Sequence, residues 1–231
     1  MVYSFQLNLF GYMELNQLQK ELDIQSTVFY IQQMPYNHKI SDLLYKIDGL
    51  VPQTDCSYLI NTFEKYSNLS KSEKGYKHKS DSHERDTYKS LNLCSIDNSN
   101  EDTAKALEIC KKWLSVTIAN YVAYIRGKKI SPDFRSVNIC SSDNIRILKY
   151  MAGQNVGDHT DVGDTIRASC TLNLNEGYEG GDLRFFDGQI KHSLKRGDAI
   201  MFPAEPIWVH GTEPIQKGIR YAVNCFLSNN S

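Results

Sequence analysis

Tyr3, Phe5, Leu7 and Leu9 alternate with Ser4, Gln6 and Asn8, a period of two that predicts an N-terminal strand with one buried face. A short helix through Leu15, Leu18 and Leu22, a second strand over Thr27 to Ile31 and a turn or loop over Pro35 to Lys39 should follow. Residues 1–50 are therefore expected to form a strand and helix extension packed on a core that runs from 51 to 231. Cys56, Leu59, Ile60 and Phe63 fall at i, i+3, i+4 and i+7, which predicts an amphipathic helix from about Thr54 to Tyr66 with Pro52 beside its start. From Ser67 to Ser90 apolar residues almost vanish and both signs of charge mix. Such a stretch cannot bury enough surface to fix itself, so residues 67–90 are expected to be a mobile loop, either a solvated connection or a lid over a substrate. His78, His83 and Arg85 belong to it, and nothing around His83 would pin it as a ligand.

Leu107, Leu114, Ile118, Val122 and Ile125 make one apolar stripe. They predict the longest helix, opened by a capping box of Ser99 and Asp102 and closed at Gly127 in a left-handed cap. After Pro132 the pattern changes to short extended runs. Strands are expected at Asn144 to Tyr150, Arg167 to Asn175, Asp182 to Phe186, Ala199 to Phe202, Ile207 to His210 and Ile219 to Leu227, with turns at Gly180-Gly181 and Gly197-Asp198. Many short strands with turns at close intervals indicate a sandwich or barrel, so the fold is mainly β with flanking helices, an α+β class.

Composition narrows the picture only a little. The chain has 231 residues, 41% hydrophobic and 23% charged, with a net charge of -1. That length suits one sizeable core, and the charge balance gives no signal for a nucleic-acid backbone or an anionic membrane. Cysteines at 56, 94, 110, 140, 170 and 225 show no metal-knuckle spacing and no dense disulfide framework. The first basic residue is Lys20, and no apolar run reaches the roughly 18 residues that span a bilayer. A soluble, cytoplasmic protein with reduced thiols is expected.

Candidate chemistry concentrates in YMAGQNVGDHTD, Tyr150 to Asp161. At the end of a strand, residues two apart point to one face, so His159 and Asp161 leave the same side. With six His and 27 acidic residues in the chain, a His followed two later by an acid arises by accident roughly 0.7 times, and the triplet alone is weak. His210 in IWVHG offers a third ligand, and two imidazoles with one carboxylate suit a non-haem ferrous ion that keeps open positions. Ten residues on, in GIRYAVNCF, alternation sets Arg220, Ala222 and Asn224 on one face and Tyr221, Val223 and Cys225 on the other. A guanidinium embedded in such a strand needs an anion, and its planar fork fits a carboxylate.

The ordered set Tyr150, Gly153, His159-Thr160-Asp161, Leu174-Asn175, Gly180-Gly181, Leu183-Arg184-Phe185, Gly197-Asp198, His210 and Arg220 resembles the iron(II)- and 2-oxoglutarate-dependent oxygenases, in their prolyl 4-hydroxylase-like branch. The resemblance covers roughly Asn144 to Leu227. It implies a double-stranded β-helix core of the jelly-roll or cupin-like kind. It also implies Fe(II) held by His159, Asp161 and His210, and 2-oxoglutarate held at its distal carboxylate by Arg220, with Tyr150 hydrogen-bonding it and Leu183 lining its slot. Where many members carry a Tyr before the Leu-Asn pair this chain has Asn173, which leaves Asn173, Thr171 and Asn224 as candidates for supporting that carboxylate. Halogenating relatives lack the acidic ligand, so Asp161 favours hydroxylation. The implied reaction couples oxidative decarboxylation of 2-oxoglutarate to hydroxylation of an unactivated C–H by O2, with ascorbate as an accessory reductant and a prolyl residue of a peptide or protein as the nearest substrate. A free amino acid, another small molecule or a nucleobase are alternatives; nucleic-acid demethylases usually carry a second Arg where this chain has Phe226. A reading from another class is a metal-binding jelly-roll domain without turnover. Trp113, Trp208, Arg184 and Arg196 are expected to be packing or surface residues.

Overall fold

In Ile219 to Ser228, alternate side chains face opposite sides, and both sides are covered, which marks a central strand. The computed structural model describes residues 38–74, 86–97, 100–128 and 144–228. The elements expected in the first 37 positions, the middle of the charged segment with His78, His83 and Arg85, and Ser99 lie outside them. Along the described chain the strands are β1 (Tyr45–Ile47), β2 (Lys71–Lys74), β3 (Asp86–Asn92), β4 (Ile145–Met151), β5 (Ile166–Asn173), β6 (Glu179–Gly180), β7 (Leu183–Phe185), β8 (Ile190–His192), β9 (Ala199–Pro203), β10 (His210–Thr212), β11 (Ile215–Lys217) and β12 (Ile219–Ser228). The helices are α1 (Gln53–Lys65) and α2 (Glu101–Lys128).

The large sheet is antiparallel throughout, in the order β1-β9-β5-β12-β4-β3-β2, with β12 in the middle. A smaller sheet runs β10-β7-β8, and β11 pairs with β6. Two sheets with two helices outside make a jelly-roll core, as the strand pattern predicts. The compact unit that contains them begins at Ile40, and β1 forms one edge of the main sheet.

Period-two alternation sorts the main sheet into two faces. Ile147, Leu172, Tyr221, Val223 and Cys225 point to the side covered by the helices, where they pack with Leu59 and Phe63 of α1 and Cys110, Leu114 and Ile125 of α2. Each such fully buried apolar side chain contributes roughly 1.5–3 kcal/mol. The opposite face meets the small sheet through Ile200 and Phe202, which pack against Leu183, Phe185 and Trp208. Trp208 is a core residue.

The expectations for α2 and for the charged segment change. The buried stripe of α2 is Thr103, Ala106, Cys110, Leu114, Thr117, Tyr121 and Ile125. Leu107, Ile118 and Val122 flank it half-buried, because small and hydroxyl-bearing residues fit closer to the sheet. Its first turn is capped by Asn100, whose Oδ1 accepts the Asp102 N–H at 2.9 Å. Gly127 continues the helix and is absent from the glycines with positive φ, so it closes nothing. Finally, the flanks of the charged segment form an antiparallel pair, Glu73 opposite Tyr88 and Lys71 opposite Ser90, that extends the large sheet. Backbone hydrogen bonds to a preformed edge supply what the side chains lack.

The Gly197-Asp198 turn ties β9 to β5 and β1. The Asp198 carboxylate is buried and accepts the Gly49 and Lys195 N–H groups at 2.9 and 2.8 Å and Lys46 Nζ at 2.8 Å. Burial alone would raise its pKa; Lys46 and the two amides outweigh that and lower it. A depressed folded pKa means stability that is present above the unfolded value, roughly 3.9, and is lost as pH falls through the folded one. Asp198→Ala should therefore cost about 3 kcal/mol in urea unfolding at pH 7, with the gap to the unmodified protein closing below about pH 4.

Candidate metal centre

His159 and His210 stand 51 positions apart, and the backbone itself joins them. His159 N–H donates to His210 O and His210 N–H to His159 O, both at 2.9 Å, an isolated antiparallel bridge between His159 and the first residue of β10. The bridge puts the two rings 4.4 Å apart, centroid to centroid. Asp161, two residues on, leaves the same side as His159: His159 Nε2 lies 3.2 Å from its Oδ1, and His210 Nε2 lies 3.2 Å from its Oδ2. One ligand atom from each of the three falls within 4.8 Å of the others.

The chemistry of this donor set decides what it can do. Each imidazole Nδ1 is 2.9 Å from a carbonyl oxygen, Gly157 O for His159 and Trp208 O for His210. A carbonyl only accepts, so Nδ1 carries the hydrogen and the Nε2 lone pair of each neutral ring faces the carboxylate. Two lone pairs and a carboxylate repel unless a cation lies between them, and a divalent ion satisfies all three. The His159 pKa is raised because the Asp161 carboxylate outweighs burial, which would lower it. For Asp161, burial would raise the pKa, but the two imidazoles and the Ser169 hydroxyl outweigh that and hold it well below the usual carboxylate range. Ser169 Oγ donates to Asp161 Oδ2 at 2.5 Å. Phe202 and Phe185 flank the His210 ring at 4.7 and 5.9 Å and restrict its rotation.

The triad borders a cavity of about 370 Å³ whose floor is the polar face of the large sheet. Arg220 lies in that floor, 2% exposed. Its Nε donates to Asn173 Oδ1 at 3.0 Å, and its guanidinium sits 5.4 Å from the Tyr150 ring centroid. No carboxylate among the described residues pairs with it, so a buried cation is left facing the cavity, the condition an incoming carboxylate would relieve. Gly181 permits this placement. With φ at +73°, a Cβ there would stand 2.5 Å from Ile215 Cδ1 and 3.3 Å from Arg220 Cδ, so a side chain would push the arginine out of line.

The other expected site residues divide. Tyr150, Leu183, Thr171 and Asn224 all line the cavity. Burial pushes the Tyr150 phenol up, so it stays protonated and able to donate. Asn173 does not line the cavity; it lies behind Arg220. Its Nδ2 donates to Asn175 O at 2.8 Å and Leu194 O at 3.1 Å, and its Oδ1 also accepts from the Tyr178 hydroxyl at 3.2 Å. Asn173 therefore aims the guanidinium. With Arg220 in the role the resemblance implies, at the distal carboxylate of 2-oxoglutarate, Asn173→Leu should raise the KM for that diacid several-fold, about tenfold at most, with kcat changed less. An Arg220→Ala protein should show no further loss on adding Asn173→Leu.

Arg184 is not a free surface residue. Its Nε donates to Asp158 Oδ1 at 3.0 Å and braces the segment leading into the triad, whereas Arg196 is exposed and reaches Glu176 only at 3.6 Å. The sequence reading missed Arg146, Tyr88, Ser169 and Tyr178. For Arg146 a signal existed: it lies four residues before Tyr150 in a strand, hence on the same face.

Residues 145–228 match the model of the 2OG-Fe(II) oxygenase superfamily. A PKHD-type hydroxylase of Synechococcus sp. is 33% identical over 91 residues, covering 34% of this chain and 40% of that protein. One from Xylella fastidiosa is 38% identical over 69 residues, covering 28% and 29%. The chain thus matches well under half the length of these relatives. Among solved structures, a Trichoplax adhaerens prolyl hydroxylase in complex with a hypoxia inducible factor oxygen degradation domain peptide superposes with a TM-score of 0.61 at 15% identity, covering 92% of each chain. A Pseudomonas putida prolyl-4-hydroxylase gives 0.58 at 16% identity, covering 83% and 97%. At such identities the structures show a shared fold.

Proposed function

We propose that the chain is an Fe(II)- and 2-oxoglutarate-dependent dioxygenase that hydroxylates an unactivated C–H, with a prolyl residue of a peptide as its substrate, a reading supported by the match of residues 145–228 to the 2OG-Fe(II) oxygenase superfamily model. The observation that carries this reading is the set of three acceptors, His159, Asp161 and His210, held face to face with both Nδ1 atoms tied to carbonyls. In this reading they hold Fe(II), and Arg220 receives the distal carboxylate of 2-oxoglutarate. The structural neighbours, a prolyl hydroxylase in complex with a peptide fragment and a prolyl-4-hydroxylase, support the prolyl assignment.

The bound iron and 2-oxoglutarate together supply the oxidising chemistry, which consumes O2 and yields succinate and carbon dioxide alongside the hydroxylated product. The protein's share is orientation. Gly157 O and Trp208 O fix the imidazole tautomers, and Ser169 holds Asp161 to one rotamer. Asn173 and Tyr150 fix Arg220, so the diacid would enter in one direction. Leu183, Leu148 and Ala222 keep water off the space between, and Tyr150 has a hydroxyl to give to a carboxylate oxygen. Thr171 lies in the same floor with a hydroxyl of its own.

Succinate formation from 2-oxoglutarate, measured with added Fe(II), O2 and ascorbate, tests the proposal. An oxygenase produces succinate slowly even without its primary substrate, and Asp161→Ala protein does not. Metal binding with no succinate under any condition would instead identify a metal-holding jelly roll without turnover.

A further inference from the structure

Arg146 lies on the same sheet face as Tyr150 and Leu148, directly across β4 and β12 from Asn224. It lines the cavity, yet the co-substrate role assigned to Arg220 leaves it unused. The two guanidiniums point to opposite ends of the ladder. Arg220 lies over Tyr150, whereas Arg146 lies over Phe226 at 4.9 Å, six positions further along β12. At about 3.3 Å of rise per residue these are separate sites, not two prongs on one small diacid.

The Arg146 head is mounted rather than neutralised. One face rests on the Phe226 ring, and Nη2 donates to Asn224 Oδ1 at 2.8 Å. Nε is buried and has no hydrogen-bond partner among the described residues. A guanidinium carries five N–H donors and stays charged, so this one keeps unused donors beside the cavity. Next to it the Tyr88 phenol has its pKa raised by burial, which Arg146 partly offsets. No carboxylate among the described residues forms an ion pair with Arg146. Glu73 borders the same cavity from β2 but makes no such pair.

Resting on the oxygenase reading above, we propose that the primary substrate carries a carboxylate close to the carbon that is hydroxylated, and that Arg146, held by Asn224 and Phe226, receives it. Two sources share this chemistry: an acidic side chain flanking the target in a peptide, and the free carboxylate of an amino acid.

The full chain, immobilised with Mn(II) and 2-oxoglutarate without oxygen, is offered two probes. One is a pool of acetylated, amidated pentapeptides with a central proline and random flanks; the other is L-proline beside L-prolinamide. Asp or Glu enriched at least about tenfold at one flanking position, or L-proline retained over its amide by that factor, supports the proposal and names the source, provided Arg146→Gln abolishes the preference. 2-Oxoglutarate affinity, measured in parallel by calorimetry, should stay within about twofold in Arg146→Gln. No acidic preference with either probe overturns the inference, whether or not anything is retained. So does a tenfold loss of 2-oxoglutarate affinity in Arg146→Gln, which would give this guanidinium to the co-substrate. If the unmodified protein binds neither Mn(II) nor 2-oxoglutarate, it is the oxygenase reading that fails, and the calorimetry shows this independently of the peptides.

Discussion

Asp161→Ala protein is expected to lose Fe(II) binding and succinate formation by more than about a hundredfold, beyond the roughly 10- to 100-fold that follows from losing a residue that merely supports a metal ligand. Asp161 is the only anion in the donor set, and it lies 3.2 Å from both Nε2 atoms. Without it, two neutral imidazoles 4.4 Å apart remain, and they cannot balance a dication. Ser169 would also lose its acceptor. Competition against a chromophoric chelator measures the metal loss, and circular dichroism checks that the fold is kept. Retained Fe(II) affinity in that variant would place the metal elsewhere.

Arg220→Ala should weaken 2-oxoglutarate binding by roughly ten- to a hundredfold, since each charge-assisted hydrogen bond contributes about 1.5–3 kcal/mol. Apart from the Tyr150 face, the described chain gives Arg220 only a neutral partner, Asn173. Leaving such a cation buried is costly until an anion arrives, so binding should gain more here than at an exposed arginine. Arg220→Lys keeps the charge without the fork and should recover only part of the affinity. Calorimetry with Mn(II) in the absence of oxygen reads both variants, and an unchanged dissociation constant for Arg220→Ala would remove the residue from the co-substrate site.

Much of this site could be read from the chain because strand periodicity is local. His159 and Asp161 leave one side by alternation alone, and Arg220, Ala222 and Asn224 fall on the cavity face as that period requires, opposite the core-facing Tyr221, Val223 and Cys225. The helix over 53–65 was legible for the same reason, its apolar residues recurring at helical spacing. Long-range pairing was not. The doubled backbone bridge between His159 and His210 leaves no trace in either segment, and the position of Asn173 behind Arg220 depends on how β5 registers against β12. The pairing of β2 with β3 was invisible because, Tyr88 and Leu91 apart, its residues are polar, and the pair is stabilised by the edge it joins. The true stripe of α2 hid behind Thr, Cys and Tyr, which a count of aliphatic positions passes over. Localisation stays an expectation; among the described residues no helix is long and apolar enough to cross a membrane, and Cys56, Cys94, Cys110 and Cys170 are free thiols.

The central claim is that one metal ion is gripped by residues 159, 161 and 210. A crystal of the protein grown with Mn(II) and 2-oxoglutarate without oxygen, with anomalous scattering recorded for manganese, tests it most directly. The expected result is a single strong peak about 2.0–2.3 Å from Nε2 of His159, Nε2 of His210 and a carboxylate oxygen of Asp161. A peak bound by other residues, or none at saturating metal, would contradict it.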